Sequence, residues 1–163
     1  MNNFMQALSI GLLYWLIRSN IGYTFGLRIA YTPMTAAVFV GLVMGNLKDA
    51  IIIGAYIQAV YVGIITNLGG VGAIDKALAT CLAIPIALKS GMSPELAVTM
   101  AIPFGLLGSL GFTAHKLITT YFTHKADACA EIGDAKGVRR FAFLWPPIAW
   151  FPLAVIPVTL IVY

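Results

Sequence analysis

A chain of 163 residues that is 60% hydrophobic and 10% charged is not built like a soluble domain, in which about 25% of residues carry charge. Its mean hydropathy of +0.91 belongs to an integral membrane protein. The net charge of +4 comes from scattered basic residues whose one cluster lies between apolar segments, so it speaks for membrane topology and against nucleic-acid binding.

The first seventeen residues hold no Lys or Arg and no A-x-A pattern follows, so a cleaved signal peptide is not expected. Phe4 to Leu27 is the first long apolar stretch, broken by Arg18. Either a helix crosses with Arg18 snorkelling or paired inside a bundle, or it ends near Ile17 and restarts; an arginine against lipid headgroups is the reading adopted. Tyr31-Thr32-Pro33 then gives a helix start, with Thr32 as N-cap and Pro33 at the first helical position. The helix from Met34 to Leu47 is only about 21 Å long, short for a crossing. Gly45 to Asp49 reads as a tight turn, so the next helix runs back antiparallel and the pair forms a short re-entrant hairpin.

Ala50 to Ile74 carries no charge, yet Gln58, Thr66, Asn67, Gly69, Gly70 and Gly72 interrupt it before Asp75 and Lys76 close it. Polar side chains and unwound backbone at membrane depth are costly unless buried in protein or lining a wet cavity, and broken helices of this kind are where transporters hold solutes. Gly54, Gln58, Tyr61 and Ile65 share one helical stripe. The helix is expected to end near Asn67, with Gly69 and Gly70 in an unwound loop. Asp75 is placed to cap a second short helix, Lys76 to Leu88, about 20 Å long. Two short helices would then face each other, one offering carbonyl oxygens and the other amide hydrogens.

Ser93-Pro94-Glu95 opens the next helix. Leu96 to Ala114 is uncharged and spanning, should kink at Pro103, and carries Gly105, Gly108, Ser109 and Gly111 as a small-residue packing face. From His115 to Arg140, Lys116, Lys125, Lys136, Arg139 and Arg140 outnumber three acids, which reads as an amphipathic or juxtamembrane cytoplasmic segment. Phe141 to Tyr163 is again apolar and spanning, with Pro146, Pro147, Pro152 and Pro157 expected to break or kink it. Cys81 and Cys129 show no metal or redox spacing and read as free thiols. The fold class is therefore all-α, a single polytopic membrane domain over 1–163 with broken helices and a charged segment at 115–140.

The run TPMTAAVFVGLVMGNLKDAIIIGAYIQAVYVGIITNLGGVGAIDKALAT, from Thr32 to Thr80, resembles the IIC subunits of the mannose–fructose–sorbose–N-acetylgalactosamine family of the bacterial sugar phosphotransferase system. The turn with its glycine and asparagine, the G-A-Y-I-Q helix and the glycine-rich segment ending in D-K-A-L-A carry the resemblance. It continues through MAIPFGLLGSL and HKADACAEIGD and covers most of the chain. It implies a multi-pass permease of the bacterial plasma membrane, part of an oligomer, that binds a hexose or amino sugar beside a IID membrane subunit, while cytoplasmic IIA and IIB subunits carry the phosphoryl group. Two positions depart from the family pattern. Gln58 stands where the family usually has Glu, and Ile74 where it often has Pro. Family members are also longer, so the chain is expected to be the N-terminal part of a IIC-type fold.

Gln58 can bond a neighbouring helix or a ligand; with the resemblance, sugar contact is the expectation, since an amide both donates to and accepts from a hydroxyl. Asn67 with Gly69 and Gly70 can line the same cavity or only end a helix. Asp75 needs no ligand as an N-cap, yet one oxygen could cap while the other accepts from a hydroxyl. Lys76 is expected in solvent or at headgroups, and His115 and His124 as plain surface residues. No catalytic, metal or cofactor motif is found, so no chemistry is expected of the chain alone. The rival readings are a non-transporting assembly or regulatory subunit and a small secondary transporter.

Overall fold

The computed structural model describes residues 2–24, 26–62 and 74–163. Among these every regular element is helical, as the all-α class requires. Helix α1 (Asn3–Arg18) stops at Ser19, whose N–H still donates to the Trp15 carbonyl. The Ser19 hydroxyl accepts from the Gly22 N–H and starts the short α2 (Asn20–Thr24), so the first apolar stretch ends and restarts as one of the alternatives held. Gly26, in the left-handed region at φ 71°, leads into a 3-10 turn at Leu27–Tyr31.

Pro33 opens α3 (Pro33–Met44), with extended backbone at Thr32. The Thr32 hydroxyl bonds back to the Ile29 carbonyl and does not cap the helix. At the other end Gly45, at φ 76°, and Asn46 both point their N–H groups at the Gly41 carbonyl. Asn46 then caps α4 (Leu47–Tyr61) by accepting from the Asp49 N–H at 3.3 Å. The arms of 12 and 15 residues measure about 18 and 22 Å. They touch because Gly54 and Gly41 lack side chains: a Cβ at Gly54 would lie 2.3 Å from the Ala37 methyl. The close antiparallel pair of short helices is the hairpin read from the sequence, whereas the break expected near Asn67 lies outside the described residues.

Asp75 caps α5 (Lys76–Ser90), the most buried helix, and Ser93 caps α6 (Pro94–Glu131). α6 is one helix of 38 residues, about 57 Å, running from the apolar span straight through most of the charged segment. After Gly133 the chain turns through α7 (Ala135–Arg139) and a π-helical turn (Arg140–Leu144) into α8 (Trp145–Val162). The widened turn immediately precedes Pro146 and Pro147, two residues with no N–H to donate. Pro152 and Pro157 lie inside α8, which continues past both, so these prolines do not break it.

α1 and α8 pack antiparallel. Trp15 Nε1 donates to the Pro147 carbonyl at 2.9 Å near one end, and the rings of Phe4 and Tyr163 meet near the other. Lys89 Nζ reaches the Val162 carbonyl and Gln6 Nε2 the Val43 carbonyl, which places the hairpin turn at the Phe4 end. Arg18, Phe112 and Ala142 gather at the opposite end. α6 and the stretch Ala135–Val162 are both long and apolar enough to cross a membrane. Their outer faces leave Leu106, Leu107, Leu110, Ile156 and Leu160 more than half exposed, a surface suited to lipid.

Candidate functional site

The break between α4 and α5 is organised by Asp75, which is 1% exposed. Its Oδ1 accepts from the Ala77 and Leu78 N–H groups, both at 3.1 Å, the donors left orphaned by the first turn of α5. Its Oδ2 accepts from the Tyr14 hydroxyl at 3.0 Å and lies 3.4 Å from Arg18 Nε. Its own N–H donates to the Gly105 carbonyl at 3.0 Å. A carboxylate offers about four acceptor positions, and all four face groups of the chain itself.

Arg18 is therefore paired inside the bundle, one of the alternatives held, and does not snorkel outward as the adopted reading had it. It is buried, 5% exposed, and held between Asp75 and the ring of Phe112, whose centroid is 4.8 Å from the guanidinium carbon. The reason is pairing: a buried cation is far less costly beside a carboxylate than alone. Lys76 is also placed differently from the expectation. It is partly buried, and its Nζ donates at 2.8 Å to the carbonyl of Tyr61, the last residue of α4. A cation there complements the negative end of that helix.

α6 comes close enough to take part because of its glycines. A Cβ at Gly108 would sit 2.3 Å from Asp75 Cβ, and one at Gly105 would sit 2.7 Å from the Tyr61 hydroxyl. That hydroxyl donates to the Ala101 carbonyl at 3.0 Å. On α4, Gly54 faces α3 and Tyr61 faces α6. Between them Gln58 is half-buried, and its Oε1 is buried with no hydrogen-bond partner among the described residues. Asn67, Gly69 and Gly70, with Thr66 and Gly72, lie outside the described residues. Tyr61 and Asp75 thus stand at the facing ends of α4 and α5, with Gln58 one turn before the end of α4.

A sequence model of the family described as the PTS system sorbose-specific IIC component matches residues 4–163. The chain belongs to that family. This IIC chain is 30% identical over 108 residues to the PTS system mannose-specific EIIC component of Escherichia coli (strain K12), a match covering 66% of the chain and 40% of that relative. It is 29% identical over 109 residues to the fructose permease IIC component of Bacillus subtilis (strain 168), covering 67% of the chain and 40% of the relative. In fold it is similar to a chain of the cryo-electron microscopy structure of the mannose transporter ManYZ in complex with microcin E492. The TM-score is 0.82 at 22% identity, over 97% of this IIC chain and 62% of the other. The chain thus spans less than two thirds of these relatives. Membership makes it a membrane protein.

Tyr14 and Arg18 were not among the residues expected at the site of this IIC chain. Their signal was present: they stand four apart on one helix face, and Asp75 is the sole acid between Asp49 and Glu95. His115 packs the edge of its ring on Trp150, with centroids 5.0 Å apart. Cys81 is buried and Cys129 partly buried, both as free thiols. Among the described residues no three His, Cys, Asp or Glu side chains gather as a metal site.

Proposed function

We propose that this IIC chain forms the sugar-binding part of a multi-pass permease in the bacterial plasma membrane, within a mannose-family phosphotransferase system. The reading joins the family match to one observation, the buried and unpartnered Oε1 of Gln58 beside a helix break. A buried acceptor without a donor is destabilising by about 1–3 kcal/mol, and a sugar hydroxyl would supply the donor. The site proposed is Gln58, Asn67 and Asp75, with Gly69 and Gly70 letting backbone groups approach the sugar. Gln58 is the primary contact of the described residues. A hydroxyl reaches Asp75 only by displacing Tyr14 or Arg18, because the other positions on the carboxylate cap α5.

The chain itself performs no chemistry in this reading. A IID subunit completes the membrane complex, the charged segment 115–140 faces the cytoplasm, and IIA and IIB subunits deliver the phosphoryl group to the sugar. The test is phosphoenolpyruvate consumption by membranes that carry this chain with its partner subunits. Consumption that rises on adding a hexose or an amino sugar supports the reading. Consumption that no sugar raises, in membranes where the complex is assembled, rejects it.

A further inference from the structure

Arg18 has a second side. Its Nη2 is buried with no hydrogen-bond partner, and the residue lines a cleft of about 420 Å³ with Phe112, His115, Lys116, Thr119 and Thr120. We propose that this cleft binds a phosphate group, carried by a phospholipid headgroup or by a soluble phosphate ester. This goes beyond the sugar site, since it concerns the cleft that Arg18 lines and does not require transport.

The first argument is charge. The ring of Phe112 lies 4.8 Å from the Arg18 guanidinium carbon and 4.7 Å from Lys116 Nζ, so two cations share one ring. A ring attracts cations without neutralising them. Asp75 is the one carboxylate beside Arg18, and its acceptor positions already face Ala77, Leu78, Tyr14 and Arg18 Nε. Other acids are remote. Asp127 is eleven residues beyond Lys116 on α6, about 16 Å, and Glu95 lies twenty-one residues before it, about 31 Å. Asp49 belongs to the hairpin turn at the far end of the bundle. Among the described residues the cleft thus sets two cations, Arg18 and Lys116, beside the one carboxylate of Asp75.

The second argument is chemistry. A guanidinium with a free buried nitrogen offers a directed donor, which matches phosphate oxygens, and a lysine adds a point charge. Thr120 brings a hydroxyl to the rim. The third argument is place. The cleft lies where α6 passes from its uncharged stretch into the charged one, the depth at which a bilayer presents its phosphates. Its volume also admits a hexose phosphate.

The experiment uses the whole chain, purified in detergent and stripped of lipid, with thermal unfolding followed as each probe is titrated. The probes are phosphatidylglycerol in mixed micelles, glucose 6-phosphate, and uncharged diacylglycerol and glucose as references. Arg18 variants are unsuited because Arg18 also holds Asp75, so the variant is Lys116→Gln at an exposed position. The expected result is that one phosphate-bearing probe raises the midpoint while its reference does not, and that Lys116→Gln weakens that probe about five-fold or more. Stabilisation by phosphatidylglycerol assigns the site to a headgroup; stabilisation by glucose 6-phosphate assigns it to a soluble ester. The proposal is overturned if neither acts beyond its reference, or if Lys116→Gln leaves the affinity unchanged. Neither result touches the sugar reading, which is tested on transport.

Discussion

Replacing the two members of the Arg18–Asp75 pair one at a time should give unequal results, and the geometry says which is worse. Asp75→Asn keeps an oxygen for the Ala77 and Leu78 N–H groups, and Asn caps as well as Asp. What it removes is the one negative charge beside a buried guanidinium. A buried charge left without its partner is destabilising by about 3–5 kcal/mol. Arg18→Met instead leaves the Asp75 carboxylate with two backbone donors, the Tyr14 hydroxyl and the positive end of α5. Its loss should therefore be nearer 1–2 kcal/mol, about the value of one charge-assisted bond. The double variant has no buried charge to strand and should recover about 1–3 kcal/mol of the Asp75→Asn loss. In a chain of this size 1 kcal/mol moves the midpoint by about 2–4 °C. Thermal unfolding in detergent should then order the proteins as wild type, Arg18→Met, the double variant close to it, and Asp75→Asn about 6–20 °C below wild type. If Arg18→Met melts lower than Asp75→Asn, or if the two losses simply add, the pairing argument is wrong.

Gly108→Ala places a Cβ 2.3 Å from Asp75 Cβ and should lower stability by about 1–3 kcal/mol, whereas Gly111→Ala, with its nearest neighbour at 3.6 Å, should melt like wild type. Equal midpoints would show that α6 does not press on Asp75. Gln58→Leu deletes the hydroxyl-binding amide and should weaken sugar binding about five-fold in an assembled complex; unchanged affinity makes Gln58 a packing residue. Cys129 should resist an impermeant thiol reagent added outside intact cells and react once the membrane is opened, and ready labelling from outside would invert the proposed orientation. Tags inserted after Asn46 and after Gly91 should report the same side, because both residues line one cleft; opposite answers would refute the packing of the hairpin.

Local chemistry was legible in the chain and long-range pairing was not. Ser93-Pro94, Gly45-Asn46 and Asp75 announce helix ends through side chains and turns that act within a few residues, and the structure uses each of them. The change of character read at His115 does not end a helix. The change there is in charge, and no Gly or Pro interrupts 112–131, so α6 continues. The partner of Arg18 was not legible because it is 57 positions away and only tertiary packing brings α1 against the start of α5. Lys76 was misplaced for the same reason, its acceptor being the far side of the break.

The facing ends of α4 and α5 are tolerable in an apolar bundle because their described polar groups are largely answered. The Tyr61 carbonyl takes Lys76, the Tyr61 hydroxyl takes the Ala101 carbonyl, and the Asp75 N–H takes the Gly105 carbonyl. The α5 amides take Asp75, and Asp75 takes Tyr14 and Arg18. Of the buried polar atoms left without a bond, Thr159 Oγ1 is pressed against Gly11, and the Trp150 indole lines a cleft walled mainly by leucines and valine. The others are Gln58 Oε1 and Arg18 Nη2, since Arg18 Nε has the Asp75 ion pair at 3.4 Å. The first is an acceptor one turn before the end of α4, and the second belongs to a residue that lines a basic cleft. A neutral hydroxyl compound suits the first and an anion the second. The chemistry of the unanswered atoms, more than the apolar walls around them, separates the two ligands assigned to this bundle.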